Sequence, residues 1–223
     1  VAVFWLACVG LTWAMQTGRS LIGRVGLGLG VWLVIGVLIE LYQRTGRGMG
    51  KWRRLLRLPL ADWGKATAHA GLGITIFGVA GITAWQAEDI RVMAVGDSAE
   101  IAGFTLTLDN VEELRGPNYL TTMADIELAR DGKFITNLHP ERRYYPVAEM
   151  PTTEAGIDSG IWRDVYVVVG DAQPEGGYAV RTFIKPFANW IWTGAIIMAM
   201  GGLLSLFDRR YRIGSVAERR DPA

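Results

Sequence analysis

The sequence predicts a polytopic α-helical membrane protein of about four spans that carries a small antiparallel β domain outside the membrane. Three observations predict it. Half of the 223 residues are hydrophobic and the mean hydropathy is +0.21, too apolar for an ordinary soluble domain and too charged for a chain lying wholly in lipid. The apolar residues are gathered into runs, most of them long enough to cross a bilayer, which takes about 20 residues. Between the last two runs lies a polar stretch, residues 88–186, with β-branched segments separated by Gly, Pro, Asn and Asp.

Taken in order, residues 1–15 are short for a complete crossing and fit a truncated span. The chain opens inside this run without an initiator Met or a basic leader, so it reads as part of a longer polypeptide. A polar turn, 16–20, leads to a second span, 21–42, where Gly26 and Gly30 give the small-residue spacing that lets helices pack closely in lipid. Arg24 and Glu40 lie near its ends, where long side chains snorkel to the interfaces.

Residues 43–65 are basic: Arg44, Arg47, Lys51, Arg53, Arg54, Arg57 and Lys65 are opposed by Asp62 alone. The positive-inside rule makes this loop cytoplasmic. Around residues 52–60 an interfacial amphipathic helix and a solvated loop are equally consistent with the pattern. Pro59 restricts the start of the next helix, and Asp62 is a candidate N-cap for it.

The third span, 66–85, holds a histidine within an apolar run. Ionisable groups at membrane depth are costly and by default mark a pathway, a relay or a ligand site. His69 lies about 5–10 Å inside the cytoplasmic end at 1.5 Å per residue. It is followed by Gly71, Gly73, Gly78 and Gly81, and His69 and Gly73, four apart, share a face. A glycine face beside a ligand-capable histidine leaves room for something flat, either another helix or a macrocycle. The plain reading of His69 is an imidazole hydrogen-bonded to a neighbouring helix.

In 88–186, six segments show strand character: 90–95, 104–111, 119–129, 133–138, 164–171 and 178–184. Arg130, Asp131, Gly132 and Lys133 form a hairpin signal, and the whole reads as a small barrel or sandwich. The last span, 187–207, opens with Trp190 and Trp192 and closes on the basic cluster 208–212. Both basic clusters therefore lie inside, as do both ends of the chain, with the β domain outside. The resulting domains are 1–87, three spans with the basic loop; 88–186, the β domain; 187–207, the last span; and 208–223, a cytoplasmic tail.

Several chemistries are unsupported. Cys8 is the single cysteine, so there is no internal disulfide, no CxxC, no zinc spacing and no CxxCH for covalent haem attachment. No Ser/His/Asp or Cys/His constellation points to a hydrolase. The basic loop lies between spans and is explained by topology, so lipid and not nucleic acid is the expected neighbour. His139 sits at a strand end as a surface or turn histidine, and Met198 and Met200 read as packing residues. Glu141, Arg142 and Arg143 with Tyr144 and Tyr145 offer arginine forks for propionates or an acidic partner, though a salt-bridged strand end is the preferred reading. Glu154, Arg163 and Asp164 are candidates for pairing within the β domain.

The third span with AHAGLGIT, the stretch PERRYYPVAEMPTTEAGI followed by RDVYVVVGD, and the ending FIKPFANWIWTGAIIMAMGGLLSLFDRRYR together resemble the C-terminal part of the CcmF family. These are membrane subunits of the bacterial haem lyase that matures c-type cytochromes in system I, and a nitrite-reductase-type paralogue shares the pattern. The likeness runs from about residue 58 to 213. It implies a subunit of the bacterial inner membrane that takes haem from a CcmE-like haem chaperone and, with a CcmH-like thiol-handling subunit, joins it to apocytochrome c. It also implies a transmembrane haem b ligated by two histidines, one matching His69 in its AHxG setting; Gly73, on the face shared with His69, is then expected to pack towards the haem. The tryptophan-rich WWD segment and the other three histidines of the family have no counterparts here. Readings that need no haem are a structural or transporter subunit, whose glycine faces only pack helices, and an anchored periplasmic binding or sensor domain.

Overall fold

The structure is a computed structural model that describes residues 6, 10, 20–46 and 50–208. The first expected span, 1–15, and most of the tail fall outside these residues. The chain divides into a helical unit and a β unit, Trp85–Asn189, each taken in turn.

In the helical unit, α1 (Leu21–Arg44) is capped by Ser20, whose hydroxyl accepts from the Gly23 N–H at 3.1 Å. A short α2 (Lys51–Leu56) occupies part of the basic loop. Next comes α3 (Leu60–Trp85), which starts just after Pro59 and six residues before the expected span. Asp62 thus lies inside the first turn and is not the N-cap. The Asp208 carboxylate, from beyond the last helix, instead accepts from the Ala61 N–H at 2.9 Å, satisfying one of the donors that a helix start leaves open. The last helix, α4, is Ala188–Leu206. Among the described residues α1, α3 and α4 are long and apolar enough to cross a membrane.

Glycines determine how these three pack. A Cβ on Gly30 of α1 would lie 2.7 Å from the Gly73 carbonyl oxygen of α3, and one on Gly26 would meet the Ala80 Cβ at 2.8 Å. On α4, a Cβ at Gly194 would meet the Gly71 carbonyl at 2.5 Å, and one at Gly201 the Gly64 carbonyl at 2.6 Å. Backbones approach this closely only where side chains are absent. Gly64 and Gly73 are separated by about two and a half turns, so α4 and α1 occupy opposite sides of α3. The α3–α4 contact is reinforced by Phe77 and Trp190, whose rings stand 5.3 Å apart.

The β unit contains ten strands: β1 (Ala87–Met93), β2 (Ser98–Ile101), β3 (Phe104–Arg115), β4 (Leu120–Arg130), β5 (Lys133–Leu138), β6 (Glu141–Tyr145), β7 (Met150–Glu154), β8 (Gly156–Ser159), β9 (Arg163–Ala172) and β10 (Tyr178–Pro186). They form two antiparallel sheets. One is ordered β1-β10-β9-β8; the other is β2-β3-β4-β6-β7, with β5 also pairing to β4. The two-residue period turns Phe104, Leu106 and Leu108 of β3, Ala124, Ile126 and Leu128 of β4, and Val165, Val167 and Val169 of β9 into one core. The β4–β5 hairpin pairs Arg130 with Lys133 around Asp131 and Gly132, both at positive φ (50° and 71°), as a primed turn demands.

Candidate functional site

The histidine of α3 has a defined geometry. His69 Nδ1 lies 2.8 Å from the Lys65 carbonyl oxygen, one turn back on the same helix. A carbonyl can only accept, so Nδ1 carries a proton, and in the neutral imidazole the lone pair is then on Nε2. The ring is exposed beside a groove of about 260 Å³ lined by Trp32, Leu33, Gly36 and Val37 of α1 and by Ala66 of α3, with Glu40 and Lys65 also on its wall. The charges are mutually paired: Glu40 accepts from Arg44 at 3.0 Å and from Lys65 at 2.7 Å, and Arg44 reaches Asp62 at 2.6 Å. A metal-bound imidazole typically donates its second ring nitrogen to a carbonyl or carboxylate. The His69 Nδ1–H already makes such a bond, and Trp32, Leu33 and Val37 are apolar side chains on the adjoining groove. These residues fit one axial ligand of a haem.

Residues 84–186 match the model of the CcmF C-terminal beta-sandwich. The chain is 55% identical over 97% of its length to "Cytochrome c-type biogenesis protein ccl1" of Rhodobacter capsulatus, of which it covers 33%. It is 39% identical over 91% of its length to "Cytochrome c-type biogenesis protein CcmF" of Escherichia coli, of which it covers 30%. The chain belongs to the CcmF family. It corresponds to a C-terminal part and spans about a third of the length of these curated relatives. A solved structure titled "Cytochrome c Heme Lyase CcmF" shares the fold, with a TM-score of 0.68 at 16% identity over 92% of this chain and 34% of that one.

In this CcmF chain Gly73 does not line an open macrocycle face. A Cβ there would lie 2.8 Å from the Gly30 carbonyl and 2.9 Å from Val34 Cγ2, so α1 occupies that surface and the glycine serves a helix contact. The open glycine is Gly36 on α1, where a Cβ would meet nothing within 4 Å. Neither Gly36 nor Trp32 stands out in the sequence, because each reads there as an ordinary span residue. Met198 belongs to the α4 segment against Gly71, whereas Met200 is exposed.

In the β unit, His139 is exposed and its Nδ1 lies 2.6 Å from Asp125 Oδ1. Arg143 donates to Glu141 at 2.8 Å, stands 3.6 Å from Glu154 and covers the Tyr119 ring at 4.7 Å. The Arg143 hydrogen bond holds the Glu141 carboxyl below the usual carboxylate range against the opposing effect of burial, and Thr121 assists. Arg142 pairs with Asp171 at 2.7 Å. These forks are engaged within the fold, in line with a salt-bridged strand end. Arg163 pairs with Asp158, and Asp164 accepts from the Gly160 N–H and from Asn189 Nδ2, each at 3.1 Å. No cluster of three or more metal-ligating side chains occurs among the described residues.

Proposed function

We propose that this chain is the C-terminal part of a cytochrome c haem lyase subunit, in which His69 Nε2 supplies one axial ligand to a transmembrane haem b. The supporting observation is the Nδ1 to Lys65 carbonyl contact of 2.8 Å beside an apolar groove. In the neutral ring the Lys65 carbonyl selects the Nδ1–H tautomer, which leaves the Nε2 lone pair for the iron. Trp32, Leu33 and Val37 give the groove its apolar lining. When bound there, haem b supplies a redox-active iron whose potential depends on its axial ligands. The second ligand comes from outside this sequence, since His139 is the other histidine and belongs to the β unit.

On this reading the protein resides in the bacterial inner membrane. Residues 43–65 and 208–223 are cytoplasmic, and residues 88–186 face the periplasm, where a CcmE-like haem chaperone, a CcmH-like thiol-handling subunit and apocytochrome c are met. The charge clusters support this orientation. The β domain docks these proteins and leaves the haem chemistry to the membrane part. The test is the haem content of purified full-length protein carrying His69→Ala. Substoichiometric haem supports the reading. Full occupancy returns His69 to helix packing and favours a subunit whose glycine faces only join helices.

A further inference from the structure

The turn between β8 and β9 leaves two large apolar side chains in the open: Ile161 is 72% exposed and Trp162 is 64% exposed. An isoleucine and a tryptophan side by side on a polar turn are costly in water. Within the β unit, hydrogen bonds tie this turn to the point where the chain leaves the last strand. The Phe187 N–H donates to the Trp162 carbonyl at 2.9 Å, and Asn189 Nδ2 donates to the Gly160 carbonyl at 2.9 Å. The Phe187 ring meets Trp162 edge-on at 6.3 Å and Trp85 at 6.0 Å. Phe187 itself is held at a φ of 60°, a conformation that non-glycine residues adopt only when their surroundings dictate it.

The partners of the turn identify its neighbour. Trp85 is the last residue of one membrane-length helix, and Phe187 immediately precedes another, Ala188–Leu206. Both residues join the β unit to helices of membrane-spanning length, and the turn is hydrogen-bonded directly to residues 187 and 189. Tryptophan is enriched at membrane–water interfaces because its ring is apolar and its N–H is polar. Arg163, the adjacent charge, is neutralised by Asp158, which leaves the tip of the turn apolar.

We propose that Ile161 and Trp162 insert into the interfacial layer of the bilayer and anchor the β unit to the lipid surface at a third point, besides its two covalent connections to the spans. The opposite end of β9 serves as a reference. β9 is ten residues long, so at about 3.3 Å per residue Glu175, in the exposed turn between β9 and β10, stands roughly 30 Å away.

The test uses full-length protein with its native cysteines, including Cys8, replaced by serine and reconstituted into phosphatidylcholine and phosphatidylglycerol vesicles. A nitroxide is attached at Ile161→Cys or at Glu175→Cys. Accessibility to oxygen, which concentrates in lipid, is compared with accessibility to a water-soluble nickel chelate. The proposal predicts an oxygen-to-nickel ratio severalfold higher at 161 than at 175. Equal, water-like ratios at the two positions would overturn it. So would low accessibility to both reagents at 161, which would mean that protein and not lipid covers the turn. Ile161 is exposed, so its replacement leaves the fold intact, and Trp162→Cys provides a second site at which the same ratio must rise.

Discussion

The Cβ position of Gly30 lies 2.7 Å from the carbonyl oxygen of Gly73. The helices that carry them are therefore as close as two backbones can come, and the groove beside His69 is a property of that contact. Gly73→Val should force α1 away from α3, at a cost of about 1–3 kcal/mol, as for other overpacked cores. Gly36→Leu, at the open position in the groove, should leave stability near wild type but reduce bound haem. Thermal unfolding and haem content of the two full-length variants check this, and reversal of the two effects would refute the assignment of the faces.

The acidic limb of stability in the β unit should depend on Glu141. Its folded value lies below the ordinary carboxylate value of 4.5 because Arg143 hydrogen-bonds the charged form. A lowered folded value contributes stability that is present above the unfolded value and is lost as pH falls through the folded one. Glu141→Gln should therefore lower the unfolding midpoint at neutral pH and narrow the gap from wild type below pH about 4.5. Circular dichroism of the β signal across that window measures it.

Replacing His139 with alanine removes the 2.6 Å contact to Asp125. The site is exposed, so the stability change should stay within about 0.5 kcal/mol. Bound haem and cytochrome maturation should remain near normal. Loss of both in cells carrying His139→Ala would move this residue into the haem site.

Much of the fold was legible because long apolar runs and two-residue alternation are strong signals. Helices Leu21–Arg44, Leu60–Trp85 and Ala188–Leu206, and six of the strands, carry them. The four strands that the pattern does not show, Ser98–Ile101, Glu141–Tyr145, Met150–Glu154 and Gly156–Ser159, are five residues long or shorter. The charged run Glu141–Tyr145 shows no alternation. It becomes a strand because β4 and β7 flank it, with Thr122 opposite Arg142 and Tyr144 opposite Pro151, and such pairing is a long-range effect.

At the site, His69 stood out because an imidazole in an apolar run is rare. The roles of the glycines did not. Gly36 and Gly73 have the same side chain, and only the position of the neighbouring helix distinguishes an open face from a filled one. Asp62 had the residue type of a cap, but Pro59 set the helix start three residues too early for it to act as one.

Ligation of haem iron by His69 Nε2 is tested by the optical and magnetic spectrum of full-length His69→Ala before and after adding imidazole. A low-spin bis-imidazole signature should be lost on substitution and partly restored by free imidazole occupying the vacated space. An unchanged signature at full haem occupancy would contradict it.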